Sequence, residues 1–212
     1  MKRFWYRNRL RRVYEQRFDI YGKTPAGSFW VDKCRQMARF DVIFSQIKKN
    51  ICGEYSLADI GCGYGALVDY LLKKEITGLV FYTGYDISGR LIRSCEDRFS
   101  KLGLKFKVGE CPEKGVDVSI MSGTYNLAVT KNVQHWEGYI EECLKKVWAK
   151  TNTFMIFNLQ NSNLGKSFIS RNQIYYAYQM EMQSRLNDLF GHSRIILDRR
   201  IPNDITLMVK RD

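Results

Sequence analysis

Three glycines on alternate positions, in the run Asp59-Ile60-Gly61-Cys62-Gly63-Tyr64-Gly65, stand between an apolar approach (Ser56-Leu57-Ala58) and an apolar exit (Ala66-Leu67-Val68). Glycine gives up more backbone entropy on folding than any other residue, so such a run belongs where the chain turns through left-handed backbone or where something must come close to it. The approach reads as a short strand and the exit as the start of a helix over 66–74, the opening half of a βαβ unit. The same beat recurs downstream. Strands are predicted at GLVFYTGYD (ending on Asp86), LKFKVGE (104–110), VDVSIMSG (116–123) and TFMIFNL (153–159), with helices over 88–101, 136–148 and 170–190. The last two strands, RIILDRR and ITLMVKR, are joined by Pro202-Asn203-Asp204 in a hairpin-like turn. Two helices, over 3–18 and 31–49, precede the alternation. Right-handed crossovers then dictate an α/β, doubly wound, mainly parallel seven-stranded sheet with a C-terminal antiparallel hairpin. Ligands of such sheets bind at the carboxyl ends of the strands, near the reversal of strand order. The glycine run faces that crevice.

Composition narrows the function classes. With 45% apolar and 26% charged residues, the 212-residue chain supports one folded core. No apolar run approaches the ~18 residues that cross a bilayer, and no secretory pattern is seen at the N-terminus, so a cytoplasmic location without membrane contact is expected. Six scattered cysteines without a C-x-x-C pair read as reduced thiols, and two histidines make a zinc site improbable. The net charge of +12 hints at an anionic partner. Six of the first twelve residues (Lys2, Arg3, Arg7, Arg9, Arg11, Arg12) are basic, with Phe4, Trp5 and Tyr6 among them. That is the composition of an RNA surface or of a groove for an anionic small molecule, and equally of a solvated helix face.

The glycine spacing separates two ligand classes. Dinucleotide folds use G-x-G-x-x-G and place a pyrophosphate on the helix N-terminus. Here the spacing is Gly61-x-Gly63-x-Gly65, and the preceding Asp59 would repel a pyrophosphate. A ligand with an ammonium or sulfonium group suits that carboxylate better, which argues against a dehydrogenase. At these residues the chain resembles the class I methyltransferases that use S-adenosylmethionine. LADIGCGYGAL is similar to their first motif, and FYTGYDIS, whose Asp86 follows Asp59 by 27 residues, to their second. KVGEC is similar to the end of their third strand. The resemblance covers roughly residues 50–212 and implies the Rossmann-like methyltransferase fold, with residues 51–212 as the S-adenosylmethionine-binding core and 1–50 as a helical cap or lid.

The resemblance also implies roles. Gly61 and Gly63, with Cys62 between them, would let the backbone approach the cofactor. Asp59 would lie near its ammonium group, and Asp86 would accept two hydrogen bonds from the ribose diol. Ile87 would pack on the adenine, with Glu110 and Cys111 at its edge. Ser122, at the end of the fourth strand, joins the cofactor set, and Arg39 is a candidate partner of the cofactor carboxylate. Tyr21, Lys23, Trp30 and Gln36 are candidates for closing over it. No metal is implied.

The acceptor is less legible. The MSGTYN stretch (Met121 to Asn126) lacks the paired prolines that accompany methylation of exocyclic amino groups, and Cys111-Pro112 has the wrong order and place for a pyrimidine carbon-5 nucleophile. NVQHWEGY (Asn132 to Tyr139) resembles the corresponding loop of small-molecule methyltransferases. His135 is there either a general base, with an ordinary pKa of ~6.5, or a helix-start residue beside Trp136. Asn158, Gln160, Asn161 and Asn163 could line an acceptor pocket or form turns. The expectation is methyl transfer to oxygen or nitrogen of a small, anionic acceptor. An RNA methyltransferase and a silent cofactor- or partner-binding module remain as alternatives.

Overall fold

The structure, a computed structural model, describes residues 2–28, 32–74 and 76–211. Two helices, α1 (Lys2–Tyr21) and α2 (Lys33–Asn50), lead into the alternating part: β1 (Tyr55–Ile60), α3 (Ala66–Lys73), β2 (Leu79–Asp86), α4 (Gly89–Phe99), β3 (Lys105–Val108), β4 (Val116–Ser122), α5 (Val133–Trp148) and β5 (Thr151–Asn161). The chain continues through β6 (Phe168–Ile169), β7 (Tyr175–Ala177), α6 (Gln179–Phe190), β8 (Ser193–Ile196) and β9 (Asp204–Lys210). Strand order runs β3-β2-β1-β4-β5 in parallel. Beyond β5 the sheet forks. β9, carrying β8 on its far side, runs antiparallel to β5 from Phe154↔Lys210 to Gln160↔Asp204. β7 pairs in parallel with the last two residues of β5 only, Gln160↔Tyr176 and Asn161↔Ala177, and β6 closes on β7.

Alternation along the strands sends neighbouring side chains to opposite faces. Leu57, Val118, Ile120, Phe154, Ile156 and Met208 pack with Phe40, Ile43 and Ile47 of α2, Leu67 of α3, and Ile92 and Phe99 of α4. Ala58, Ile60, Met121, Met155, Phe157, Leu207 and Val209 pack with Trp136, Ile140 and Leu144 of α5 and Met182 and Leu186 of α6. α1 joins this second layer: Tyr6 meets Trp136 and Tyr139 edge-on, at ring centroids 6.2 and 5.6 Å apart. No described helix is long and apolar enough to cross a membrane.

One sequence expectation fails here. The helical spacing over 170–190 holds only from Gln179; the first half is the β6–β7 hairpin. Gln173 takes φ 63° at its turn. Tyr175 N donates to Asn126 O at 2.8 Å and Ala128 N to Gln173 O at 2.7 Å, so the segment is held by the loop after β4. Tyr175 is buried, and its hydroxyl donates to Glu137 Oε1 at 2.8 Å. Tertiary pairing overrides the helical period, and among the described residues the sheet has nine strands rather than seven.

Candidate functional site

The reversal of strand order between β1 and β4 leaves a cleft at their carboxyl ends, enclosing about 750 Å³ including its mouth. Its wall draws one short loop from each strand: Gly61 and Gly63 after β1, Asp86 and Ile87 at β2, Gly109 and Glu110 after β3, Ser122 to Tyr125 at β4. Leu10 and Tyr14 of α1 and Tyr139 and Cys143 of α5 complete it.

The glycine loop is shaped by backbone. Gly61 N and Cys62 N both donate to Tyr85 O, at 2.7 and 3.0 Å. Gly61 has φ 77°, and a Cβ there would lie 2.8 Å from Thr124 Oγ1, whose hydroxyl donates to Ile60 O at 2.8 Å. Gly65, the N-cap of α3, has φ 87°, and a Cβ there would come within 2.4 Å of the Phe99 ring. Side chains are excluded at the first position by the loop after β4 and at the second by α4.

Asp86 is buried at the end of β2. It accepts from Ser88 N at 2.8 Å and from Gly63 N at 3.1 Å. Burial pushes its carboxyl up to about 6, against the pull of these amides. Glu110 receives Arg3 and Lys146 on one oxygen, while its buried Oε2 has no hydrogen-bond partner among the described residues. Ser122 Oγ is likewise buried and unpartnered. These groups carry hydrogen-bonding capacity that the protein alone leaves unspent, as a polar ligand requires.

Two residues read as part of the cofactor set lie behind the wall. Asp59 is buried under the loop, accepts from Tyr82 Oη at 2.9 Å, and burial pushes its carboxyl to about 7. Cys62 is buried as well; a hydrogen bond with Cys95, then burial and the charges of Asp86 and Asp59, push its thiol up. Cys95 Sγ in turn donates to Gly63 O at 3.3 Å. Cys111, half-buried, packs on the α5 layer outside the wall.

Arg39 is not in the wall. It is buried in α2, and its Nε and Nη2 donate to both oxygens of Asp204 at 2.8 and 2.6 Å. Its charge is therefore committed to the first residue of β9 rather than to a cofactor carboxylate. Gln36 accepts from Tyr64 Oη at 3.1 Å, Tyr21 and Lys23 are exposed, and Trp30 lies outside the described residues. His135 is exposed in the first turn of α5, where its N–H donates to the capping side chain of Asn132 at 2.8 Å, and its ring is not part of the cleft wall. Gln160 donates to Asp204 Oδ1 at 2.7 Å, and Asn161 donates to Asn163 at 3.4 Å.

The sequence named residues 1–50 as a cap or lid, but none of the contacts that fasten it. α1 is fastened across the cleft by Arg3–Glu110, by Ser88 Oγ donating to Glu15 at 2.9 Å, and by Arg90–Asp19 at 2.8 Å. Nothing in the sequence of the helix over 3–18 named those partners. Tyr139 and Cys143, one turn apart on α5, were not read as part of the wall they form.

No protein-family model matches the chain. A Mycobacterium tuberculosis protein, whose name assigns it provisionally to the methyltransferases, is 31% identical over 129 residues, 60% of this chain and 76% of that protein. Among solved structures, the magnesium protoporphyrin IX methyltransferase of Synechocystis with bound S-adenosylmethionine superposes with a TM-score of 0.63 at 13% identity, covering 97% of each chain. An S-adenosylmethionine-dependent methyltransferase of Clostridium acetobutylicum superposes with a TM-score of 0.58 at 15% identity, covering 93% of this chain and 98% of that one.

Proposed function

Since the chain belongs to the class I S-adenosylmethionine-dependent methyltransferases, we propose that it transfers a methyl group to oxygen or nitrogen of a small, anionic acceptor. S-adenosylmethionine supplies a methyl carbon already activated by its sulfonium, so what the protein must add is mostly orientation, worth up to ~7–11 kcal/mol.

The residues of the cleft fit that cofactor. Gly61 and Gly63 offer bare backbone, and Asp86 is placed to take the ribose diol. Ile87 would bear on the adenine, with the spare oxygen of Glu110 at its amino edge and Ser122 near the reacting end. Asp59 and Cys62 act from behind, holding the loop. The buried Asp86 carboxyl is better satisfied by two ribose hydroxyls than by the amides alone, since hydroxyl donors favour its ionised form.

The observation that carries the small-molecule reading is the position of α1. A helix fastened across the cleft at both ends, with Leu10 and Tyr14 forming part of the wall, admits a compact acceptor and shuts out a polymer backbone. In this reading α1 is the lid, and residues 51–212 with α2 form the body it closes on. The anionic reading draws on the net charge of +12.

A second reading, RNA as acceptor, draws on the outward face of α1, where exposed Trp5 lies under the Arg9 guanidinium at 5.1 Å from the ring centroid. It requires affinity for RNA that falls steeply with salt.

Calorimetric titration with S-adenosylhomocysteine, with NADH as control, tests the proposal. Binding of the first alone is expected; binding of neither removes the proposal, and binding of NADH replaces it with a dehydrogenase.

A further inference from the structure

At the end of the sheet opposite the cofactor cleft, β9 finishes near the start of β5, with Lys210 abreast of Phe154. β8 pairs with β9 from Ser193↔Val209 to Ile196↔Thr206. The same register, carried one residue past the start of β8, brings His192 opposite Lys210, and Arg194, beside Met208, lies on the diagonal. Arg211 follows Lys210 directly. These four basic residues, with Asn50 at the end of α2 and the buried Met208, line a groove of about 620 Å³ including its mouth. Among the described residues, no acidic side chain lines it.

Directly opposed cross-strand residues lie about 5 Å apart at Cβ and diagonal ones about 7 Å, and like charges so placed repel. The described residues offer little to offset this. His192 and Arg194 make no hydrogen bond or ion pair among them. Lys210 Nζ donates to a neutral acceptor, Asn50 Oδ1, at 3.4 Å. Arg211 is held by carbonyls and a ring: Nε donates to Thr151 O at 2.7 Å, Nη2 donates to Trp148 O at 2.8 Å, and the guanidinium lies 4.3 Å from the Trp148 ring centroid. By contrast, Arg200 takes Asp41 and Asp198, and Arg185 takes Glu137 and Glu141.

Two plainer accounts cover only part of the arrangement. A charge on an outer strand discourages pairing with another strand, which accounts for Arg194 on β8. β9 lies between β5 and β8, so Lys210 guards no edge. A net charge of +12 scatters basic residues over any surface, but here they converge on one concavity and Arg211 is fixed in place.

We propose that the His192–Arg194–Lys210–Arg211 groove is an anion site separate from the cofactor cleft, and that it takes a diphosphate group. A carboxylate or a single phosphate leaves part of the charge of Arg194, Lys210 and Arg211 unanswered, whereas a diphosphate carries enough to meet all three. Arg194 presents an unspent guanidinium fork for two phosphoryl oxygens, Lys210 supplies a point charge, and an N–H of the His192 ring can donate to a further oxygen. The groove lies at the amino end of the parallel strands and the cleft at their carboxyl end, so this ligand is not the methyl acceptor. The proposal stands apart from the methyltransferase reading.

The chain has two histidines, and they lie at opposite ends of the sheet: His192 in the groove and His135 in the first turn of α5. Their ring ¹H–¹³C resonances, assigned by the loss of one in His192→Asn, provide a reporter and an internal control. Inorganic diphosphate, ADP, inorganic phosphate and a single-stranded RNA would be added separately at constant pH and ionic strength. Inorganic diphosphate and ADP are expected to shift the His192 signal saturably and leave that of His135 in place, and tighter binding of ADP would mark a nucleotide as the source of the diphosphate. Arg194→Gln and Lys210→Gln should each weaken that binding on the order of tenfold, with affinity for S-adenosylhomocysteine unchanged. A His192 signal that does not move, that answers inorganic phosphate equally, or that is insensitive to both variants would overturn the assignment. Tighter binding of RNA than of diphosphate would overturn it too, in favour of a nucleic-acid surface.

Discussion

Along one edge of the sheet, the ends of β1 and β2 and the ends of β4, β5 and β9 handle their polar atoms in opposite ways. At β1 and β2 they are committed: Asp86 takes Gly63 and Ser88, Asp59 holds Tyr82, and Tyr85 O takes two amides of the glycine loop. At β4, β5 and β9 a row of three side chains, Ser122, Asn158 and Thr206, keeps its hydrogen-bonding capacity open. The first region is held in shape by its own hydrogen bonds; the second is left with buried donors and acceptors that no described residue answers.

The largest expected effect breaks the first region at its centre. Asp86→Ala removes the carboxylate that addresses the diol; with hydrogen bonds to charged groups worth ~1.5–3 kcal/mol each, affinity for S-adenosylhomocysteine should drop roughly 100-fold or more by calorimetry. Unchanged affinity would mean that the ribose lies elsewhere. Gly65→Ala attacks the shape rather than the charge. Its Cβ meets the Phe99 ring at 2.4 Å from a backbone with φ 87°, so a loss of about 1–3 kcal/mol is expected in denaturant unfolding. A stability equal to the parent's would show that Phe99 moves aside freely.

Acidity sharpens the same contrast. In the ligand-free protein, burial raises Asp86 to about 6 and Asp59 to about 7. Groups raised in the folded state bind more protons there than in the unfolded chain, so their contribution to stability is full below about pH 4 and is lost as pH rises through about 6 to 7. Cofactor binding runs the other way, because the diol prefers the ionised Asp86. Affinity for S-adenosylhomocysteine should weaken about tenfold per unit as pH falls below about 6, and Asp86→Asn should flatten that profile. A profile unaltered by Asp86→Asn would assign the titration to Asp59. The smallest effect lies away from both regions: nothing within 4 Å would meet a Cβ at Gly138 in α5, so Gly138→Ala should stabilise by ~0.4–1 kcal/mol and leave cofactor affinity alone.

This contrast also explains what was legible beforehand. The glycine loop and Asp86 are coded by short spacings, because strand, turn and helix follow one another directly. The pairing of Arg39 with Asp204 was not legible, because the two are 165 residues apart and no local period announces an ion pair of that span. The β6–β7 hairpin was hidden for a related reason: Ile174, Tyr178 and Met182 keep a helical spacing, yet Leu127 and Asn126 capture the strand from outside. The row at Ser122, Asn158 and Thr206 comes from three strands, and only their register brings it together.

The Arg39–Asp204 pair has a consequence for how the chain is made. Synthesis proceeds from the N-terminus, so α2 emerges long before β9, the last of the described elements. Until then the guanidinium of Arg39 lacks the two-pronged Asp204 carboxylate, and burying it without that partner is less favourable. α2 is therefore expected to stay loosely docked on the ribosome, with Phe40, Ile43 and Ile47 incompletely covered, and to lock only when the final strand is released. A nascent chain stalled before residue 204 should expose this helix to protease, and one stalled after the C-terminus has cleared the exit tunnel should protect it.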